Sequence, residues 1–271
     1  MSVNTEAAVA FINEFGTDLE RTCIVLTLGG TRPTTELVDT LFAAEQREDG
    51  SWAPEWAPDY GSLDATCDRL KVSEWLGVPN TAKALDSAVG FIMSKQREDG
   101  SWQEDDAIAG RAPEYLDPGN ADATFYVTAY CAYWMMSLAQ FAPSTRRAAN
   151  YLQGVHDMDG HPGGAPLKAH WLSAASLHRF GDQERSAAIM SFLNRNINDS
   201  TASDILGAMC ATLYVSGVAT DQPVLLRALD MLEERQQEDG RWTSDESESN
   251  DPFVTFTAMR ALKLGGRVNI E

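Results

Sequence analysis

At 271 residues and 44% hydrophobic the chain can bury a substantial core, and its formal net charge of −19 leaves no basic footprint for nucleic acid or an anionic membrane surface. No apolar run reaches the roughly 18 residues that span a bilayer, and the opening residues Met1 to Glu6 lack a basic leader, so a single domain over 1–271 in the cytoplasm is expected. The four cysteines, Cys23, Cys67, Cys131 and Cys210, are widely spaced in apolar stretches, which argues against a thiolate metal cluster and for reduced core thiols.

Apolar periodicity predicts twelve helices in chain order, over 5–14, 17–28, 34–46, 62–76, 81–96, 121–139, 144–153, 166–179, 182–195, 203–216, 222–237 and 252–264. They alternate. The first of each pair is amphipathic, with Asp86, Lys95, Arg146, Arg147, Glu184, Arg227 and Glu233 turned to water, and the second is apolar with few charges.

Three near-identical phrases punctuate this series: Gln46 to Trp52, Gln96 to Trp102 and Gln236 to Trp242. A phrase with Gln, Asp-Gly and Trp at fixed offsets marks a repeated unit that stacks on copies of itself. Asp-Gly supplies the turn that stops the preceding helix, Trp offers a large apolar face, and Gln can bond the end of an adjacent helix. A degenerate fourth copy is expected at Gly154 to Gly164, where His156 and His161 read more simply as a tight loop than as a metal pair.

Gln-x-x-Asp-Gly-x-Trp resembles the QW motif of squalene-hopene cyclases, oxidosqualene cyclases and related class II terpene cyclases. The resemblance implies an all-α fold, the (α/α)6 toroid, with six inner helices alternating with six outer ones. Each Asp-Gly-x-Trp turn would then lead into an inner helix, and a site would form where the inner N-termini open. The long acidic segment 103–119 is a candidate lid over that end.

Those cyclases donate a proton from the middle Asp of an Asp-x-Asp-Asp-Thr motif. The matching stretch is Asn120-Ala121-Asp122-Ala123-Thr124, so the resemblance makes Asp122 the general acid with Asn120 and Thr124 beside it, although both flanking acids are replaced. Asp122 reads equally well as a helix cap, because Leu63-Asp64-Ala65-Thr66 repeats the same Asp-Ala-Thr earlier in the chain. Asp64 and Asp68 share a helical face with Lys71, either as a salt bridge or as a polar wall of the cavity. Phe125, Tyr126, Tyr133, Trp171 and Phe253 are candidate substrate-binding aromatics able to stabilise a cation, and ordinary core is their plainer reading.

The acidic runs Glu104-Asp105-Asp106 and Asp245-Glu246-Ser247-Glu248 read as solvated loops. No cofactor is expected, and Mg2+ only if the substrate is a diphosphate. The Asp-x-Cys and His of zinc-dependent protein prenyltransferases have no counterpart, since Val254 stands where the His belongs; the Cys-Gly-Glu-Gln of thioester domains is also lacking. The expectation is protonation-initiated cyclisation of an isoprenoid or polyene-like substrate, a hydrophobic small molecule. A non-catalytic binding toroid and a cyclase of a non-terpenoid intermediate are the alternatives, with the 103–119 loop, a homodimer or a partner protein closing the cavity.

Overall fold

The computed structural model describes residues 3–139, 142–157 and 164–268, and among these the regular structure is helical, with one isolated bridge between Trp52 and Ser62. The helices are α1 (Thr5–Phe15), α2 (Asp18–Thr27), α3 (Thr35–Val38), α4 (Leu63–Trp75), α5 (Lys83–Ser94), α6 (Ala121–Leu138), α7 (Pro143–Asp157), α8 (Leu167–Phe180), α9 (Gln183–Asn196), α10 (Ser203–Val215), α11 (Pro223–Arg235) and α12 (Asp251–Leu264). Each falls on a stretch that periodicity predicts. The helix expected over 34–46 is the one that departs in form, since α3 passes into a π-helical turn at Asp39–Ala43 and stops at Glu45, which has φ +65°.

Cα packing divides the chain into two compact units, residues 1–34 with 190–271 and residues 35–189. In the second, α6 packs against α4, α7 and α8. Every residue of α6 from Ala123 to Met136 is buried, as is every residue of α8 from Ala169 to Leu177, whereas α5 buries only Leu85, Ala88, Phe91 and Ile92 on one face. In the first unit α12 packs against α10, α11, α1 and α2, and buries Val254 to Met259 without a break. The all-round apolar sequences of α6, α8 and the middle of α12 are therefore core, while the one-faced α5 lies at the surface, and α2 departs from its apolar set by burying only Cys23 and Ile24.

The repeated phrase fastens these pairs in the same way each time. The indole N–H groups of Trp52, Trp102 and Trp242 donate to Ala44, Ile92 and Leu232 carbonyls at the ends of the preceding helices, 3.0, 2.7 and 2.7 Å away. Their backbone N–H groups donate to Thr66, Thr128 and Thr255 on the following helices. Gln46, Gln96 and Gln236 each donate to the Gly carbonyl of their own turn and to a carbonyl at the start of another helix, Ala84, Ser144 or Asn4. Gly100 must be glycine twice over, since φ is +91° and a Cβ there would stand 2.4 Å from the Arg147 carbonyl oxygen. Trp102 and Trp242 are completely buried.

Candidate active site

The first turns of α4 and α6 bring an acid to the same place in each helix, Asp64 and Asp122. Ser62 caps α4 through Ala65 N–H, and Asn120 caps α6 by accepting from the amides of Asp122 and Ala123 at 2.8 and 3.3 Å. Asn120 thus spends its side-chain oxygen on backbone. Thr124 donates to the Asn120 carbonyl and, at 3.4 Å, to Gln103. Asp122 is half-buried, and its Oδ2 lies so near Gly164 that a Cβ at that position would be 2.0 Å away. The structure therefore uses Asn120, not Asp122, as the cap of α6.

A ladder of three tyrosines and three acids runs between α6 and α4. Tyr126 donates to Asp64 at 2.7 Å, Tyr130 to Asp68 at 2.6 Å and Tyr133 to Glu74 at 3.1 Å. Successive rungs advance in the same direction along both helices, so α4 and α6 are parallel. Lys168, on the first turn of α8, donates to the Tyr126 hydroxyl at 3.0 Å, reaches Asp68 at 3.5 Å, and lies 3.9 Å from the centre of the Tyr130 ring. The salt bridge expected between Asp68 and Lys71 is present at 3.1 Å, and Lys71 also lies over Trp75. Tyr115, from the 103–119 segment, meets Tyr126 edge-on with ring centres 5.7 Å apart.

The charges of this cluster are unequal. Burial, reinforced by the neighbouring Asp68 carboxylate, pushes Asp64 up to about 6, against the opposing pull of Lys168 and Tyr126. Burial works on Asp68 too, but the ammonium groups of Lys168 and Lys71 and the Tyr130 hydroxyl outweigh it and hold that carboxyl well below the usual range. Asp68 keeps 44% of its side chain accessible while Tyr126 and Tyr130 behind it are 3% exposed, so the acid edge of the ladder is the one open to a small molecule. Burial, with Asp64 and Asp68 acting on Tyr126 and Asp68 on Tyr130, raises both phenols well above their ordinary value, which leaves them as donors.

Glu104 corrects the expectation of a solvated acidic run. It is 1% exposed and accepts from Tyr60 and Ser62 hydroxyls at 2.9 and 2.6 Å and from the Leu63 and Asp64 amides at 3.1 and 3.0 Å. With both oxygens saturated by these donors it anchors the start of α4, and it is not available to a divalent cation. Among the described residues no group of three or more metal-ligating side chains forms.

The remaining sequence candidates fall elsewhere. Phe125 is buried with its ring edge-on to His156 and His170, at 5.5 and 5.4 Å, and Trp171 is buried on α8. Phe253 is half-buried on α12 of the other unit. His161 and most of the degenerate fourth repeat lie outside the described residues. Tyr130 and Lys168 join the cluster beside the expected residues. Tyr130 stands four residues beyond Tyr126, as Asp68 stands beyond Asp64, and that matched spacing was the available signal. Nothing local to Glu104 announces its partners some forty positions back.

Residues 18–170, which include every rung of this ladder, match the squalene-hopene cyclase C-terminal domain. The chain belongs to that family. It is 28% identical over 133 residues to the squalene–hopene cyclase of Zymomonas mobilis subsp. mobilis (strain ATCC 31821 / ZM4 / CP4), a match covering 48% of this chain and 19% of that protein. Among solved structures, a variant of the type II terpene cyclase MstE from Scytonema, in complex with geranylgeranyl dihydroxybenzoate as substrate, is similar with a TM-score of 0.58 and 17% identity over 97% of each chain. E. coli α2-macroglobulin is similar with a TM-score of 0.59 and 17% identity, over 96% of this chain and 17% of that one. These likenesses establish the fold, the α/α toroid, and leave the chemistry to the residues.

Proposed function

We propose that the chain is a class II terpene-cyclase-like enzyme, which opens a carbocation cascade by protonating an isoprenoid or polyene-like substrate. In this reading Asp122 is a general acid, because it holds the family's donor position at the start of α6, one turn before Tyr126. The observation that carries the reading is the pairing of Asp64 and Asp122 at matching positions of two parallel helices, with buried tyrosines holding the acids from behind. General acid catalysis supplies roughly 10²–10⁴-fold, and folding of the substrate by the cavity supplies the rest.

MstE supports the reading on size, since the likeness spans 97% of that type II terpene cyclase. Cyclisation also demands exclusion of water, for which the 103–119 segment is suited: its Tyr115 leans on Tyr126, and Arg111 ties it to Asp59 at 2.9 Å. A second copy of the chain closing the site is the alternative enclosure. The absence of any membrane-spanning helix among the described residues and the four buried, free cysteines fit work in the cytoplasm.

A second reading is a non-catalytic ligand-binding toroid, a fold shared with a part of E. coli α2-macroglobulin that makes up 17% of that chain. A cyclase of a non-terpenoid intermediate would use the same acid. The test is an extracted-product assay with squalene, farnesyl and geranylgeranyl diphosphates, and their epoxides, on wild type and a folded Asp122→Asn variant. A cyclic product lost in the variant supports the cyclase. No product from wild type with any of them supports the binding module.

A further inference from the structure

Four features outside the donor motif converge on Asp64. It occupies the same place in its repeat as Asp122 does in the next, within Asp-Ala-Thr at the start of the helix that follows the Gln-to-Trp phrase. The helix-terminal amides that would normally stabilise its charge are committed to Glu104, which accepts from Leu63 and Asp64 N–H. Its Oδ1 receives the Tyr126 hydroxyl at 2.7 Å, while among the described residues no hydrogen bond reaches Oδ2. Lys168 donates to the same Tyr126 oxygen at 3.0 Å, so the single phenolic proton points at Asp64.

One oxygen fixed by a donor and the other left to carry a proton is the arrangement of a carboxylic acid poised for transfer. We propose that Asp64 is a second proton-donating carboxyl of this site, with Tyr126 and Lys168 as its positioning residues. The proposal rests on the cyclase reading. In the step, the Asp64 Oδ2–H bond breaks while the π pair of a substrate double bond takes the proton and forms a C–H bond. Asp64 is left as a carboxylate facing the Tyr126 hydroxyl, and the cation loses a proton to water as the ring system closes. Asp64 regains its proton from solvent. The whole is an isomerisation without oxidant or reductant.

The charge environment agrees with the geometry. The groups that act on Asp64 are Asp68 on α4, Tyr126 on α6, Lys168 on α8, and Glu104 and Tyr115 from the 103–119 segment. Burial, Asp68 and Glu104 favour the protonated form, and Lys168 and Tyr126 oppose it, for a balance near 6. The acid is therefore largely protonated in mildly acidic solution and weakens as a donor above that.

The test compares wild type, Asp64→Asn, Tyr126→Phe and Asp122→Asn on geranylgeranyl diphosphate, geranylgeranyl dihydroxybenzoate, squalene and their terminal epoxides, with circular dichroism to match folding. Asp64→Asn is expected to lose about 100-fold or more in kcat. Wild-type kcat should fall as pH rises through about 6, and Tyr126→Phe should move that limb upward, because the lost donor had stabilised the carboxylate. A folded Asp64→Asn with wild-type kcat overturns the proposal and leaves the cyclase reading standing. If Asp64→Asn fails to fold, an unmoved limb in Tyr126→Phe overturns it instead. Wild type inactive on every probe overturns the cyclase reading, and the proton donor falls with it.

Discussion

Tyr126 on α6 donates to Asp64 on α4 across 2.7 Å, and the same phenol oxygen accepts from Lys168 on α8. Three helices are thereby tied within their first two turns through one hydroxyl. The tie is also an electrostatic device, since the ammonium behind the phenol tempers the lift that burial gives the carboxyl in front of it.

The stability of the fold should carry the signature of that carboxyl. Asp64 is raised from its ordinary 3.8 to about 6, so its contribution is full below about pH 4 and is lost as pH rises through about 6. Asp68 is shifted the opposite way, so its contribution is present above the ordinary carboxylate range and is lost as pH falls. Urea denaturation at a series of pH values is expected to show a smaller decline between pH 4 and 7 for Asp64→Asn than for wild type. Asp68→Asn is expected to flatten the acid side instead.

Glu104 offers a test of the site's foundation. Replacing it with Ala strands two amides and two hydroxyls in a buried place, and the expected loss is about 2–4 kcal/mol in chemical denaturation. Glu104→Gln should lose less, because one amide oxygen still accepts.

Gly100→Ala should be costly for a reason unrelated to chemistry. Its φ of +91° and the 2.4 Å approach of a Cβ to the Arg147 carbonyl oxygen together predict destabilisation of about 2 kcal/mol or more. Gly154→Ala, where a Cβ meets nothing within 4 Å, is the matched control and should be neutral or mildly stabilising in the same melt.

Lys168→Met removes the ammonium from the Tyr130 face and from Tyr126 while keeping the length of the chain. The expected outcome is a further rise in the Asp64 carboxyl, visible as an upward-shifted resonance titration in carboxyl-carbon NMR. Asp64→Asn identifies that resonance by deleting it.

The twelve helices were legible because surface and core faces repeat with helical period, and the three Gln-to-Trp phrases were legible because each makes its bonds within its own turn and to adjoining helices. The salt bridge between Asp68 and Lys71 was legible by the same local logic. Glu104 was not: an acid in an acidic run looks solvated until Tyr60, Ser62 and the start of α4 close over it. The place of Lys168 was not legible either, since its partners Tyr126 and Asp68 lie 42 and 100 positions away. The break at Glu45 escaped for another reason, as an amphipathic pattern does not distinguish an α-turn from a π-turn.

Cyclisation in heavy water is the most direct measurement, with the products extracted and their deuterium located by mass spectrometry and NMR. Protonation from an exchangeable carboxyl predicts a cyclic product carrying one deuteron at the carbon where the cascade begins, lost together with product in Asp122→Asn. A cyclic product free of deuterium, or no cyclic product from the folded wild-type protein, would contradict it.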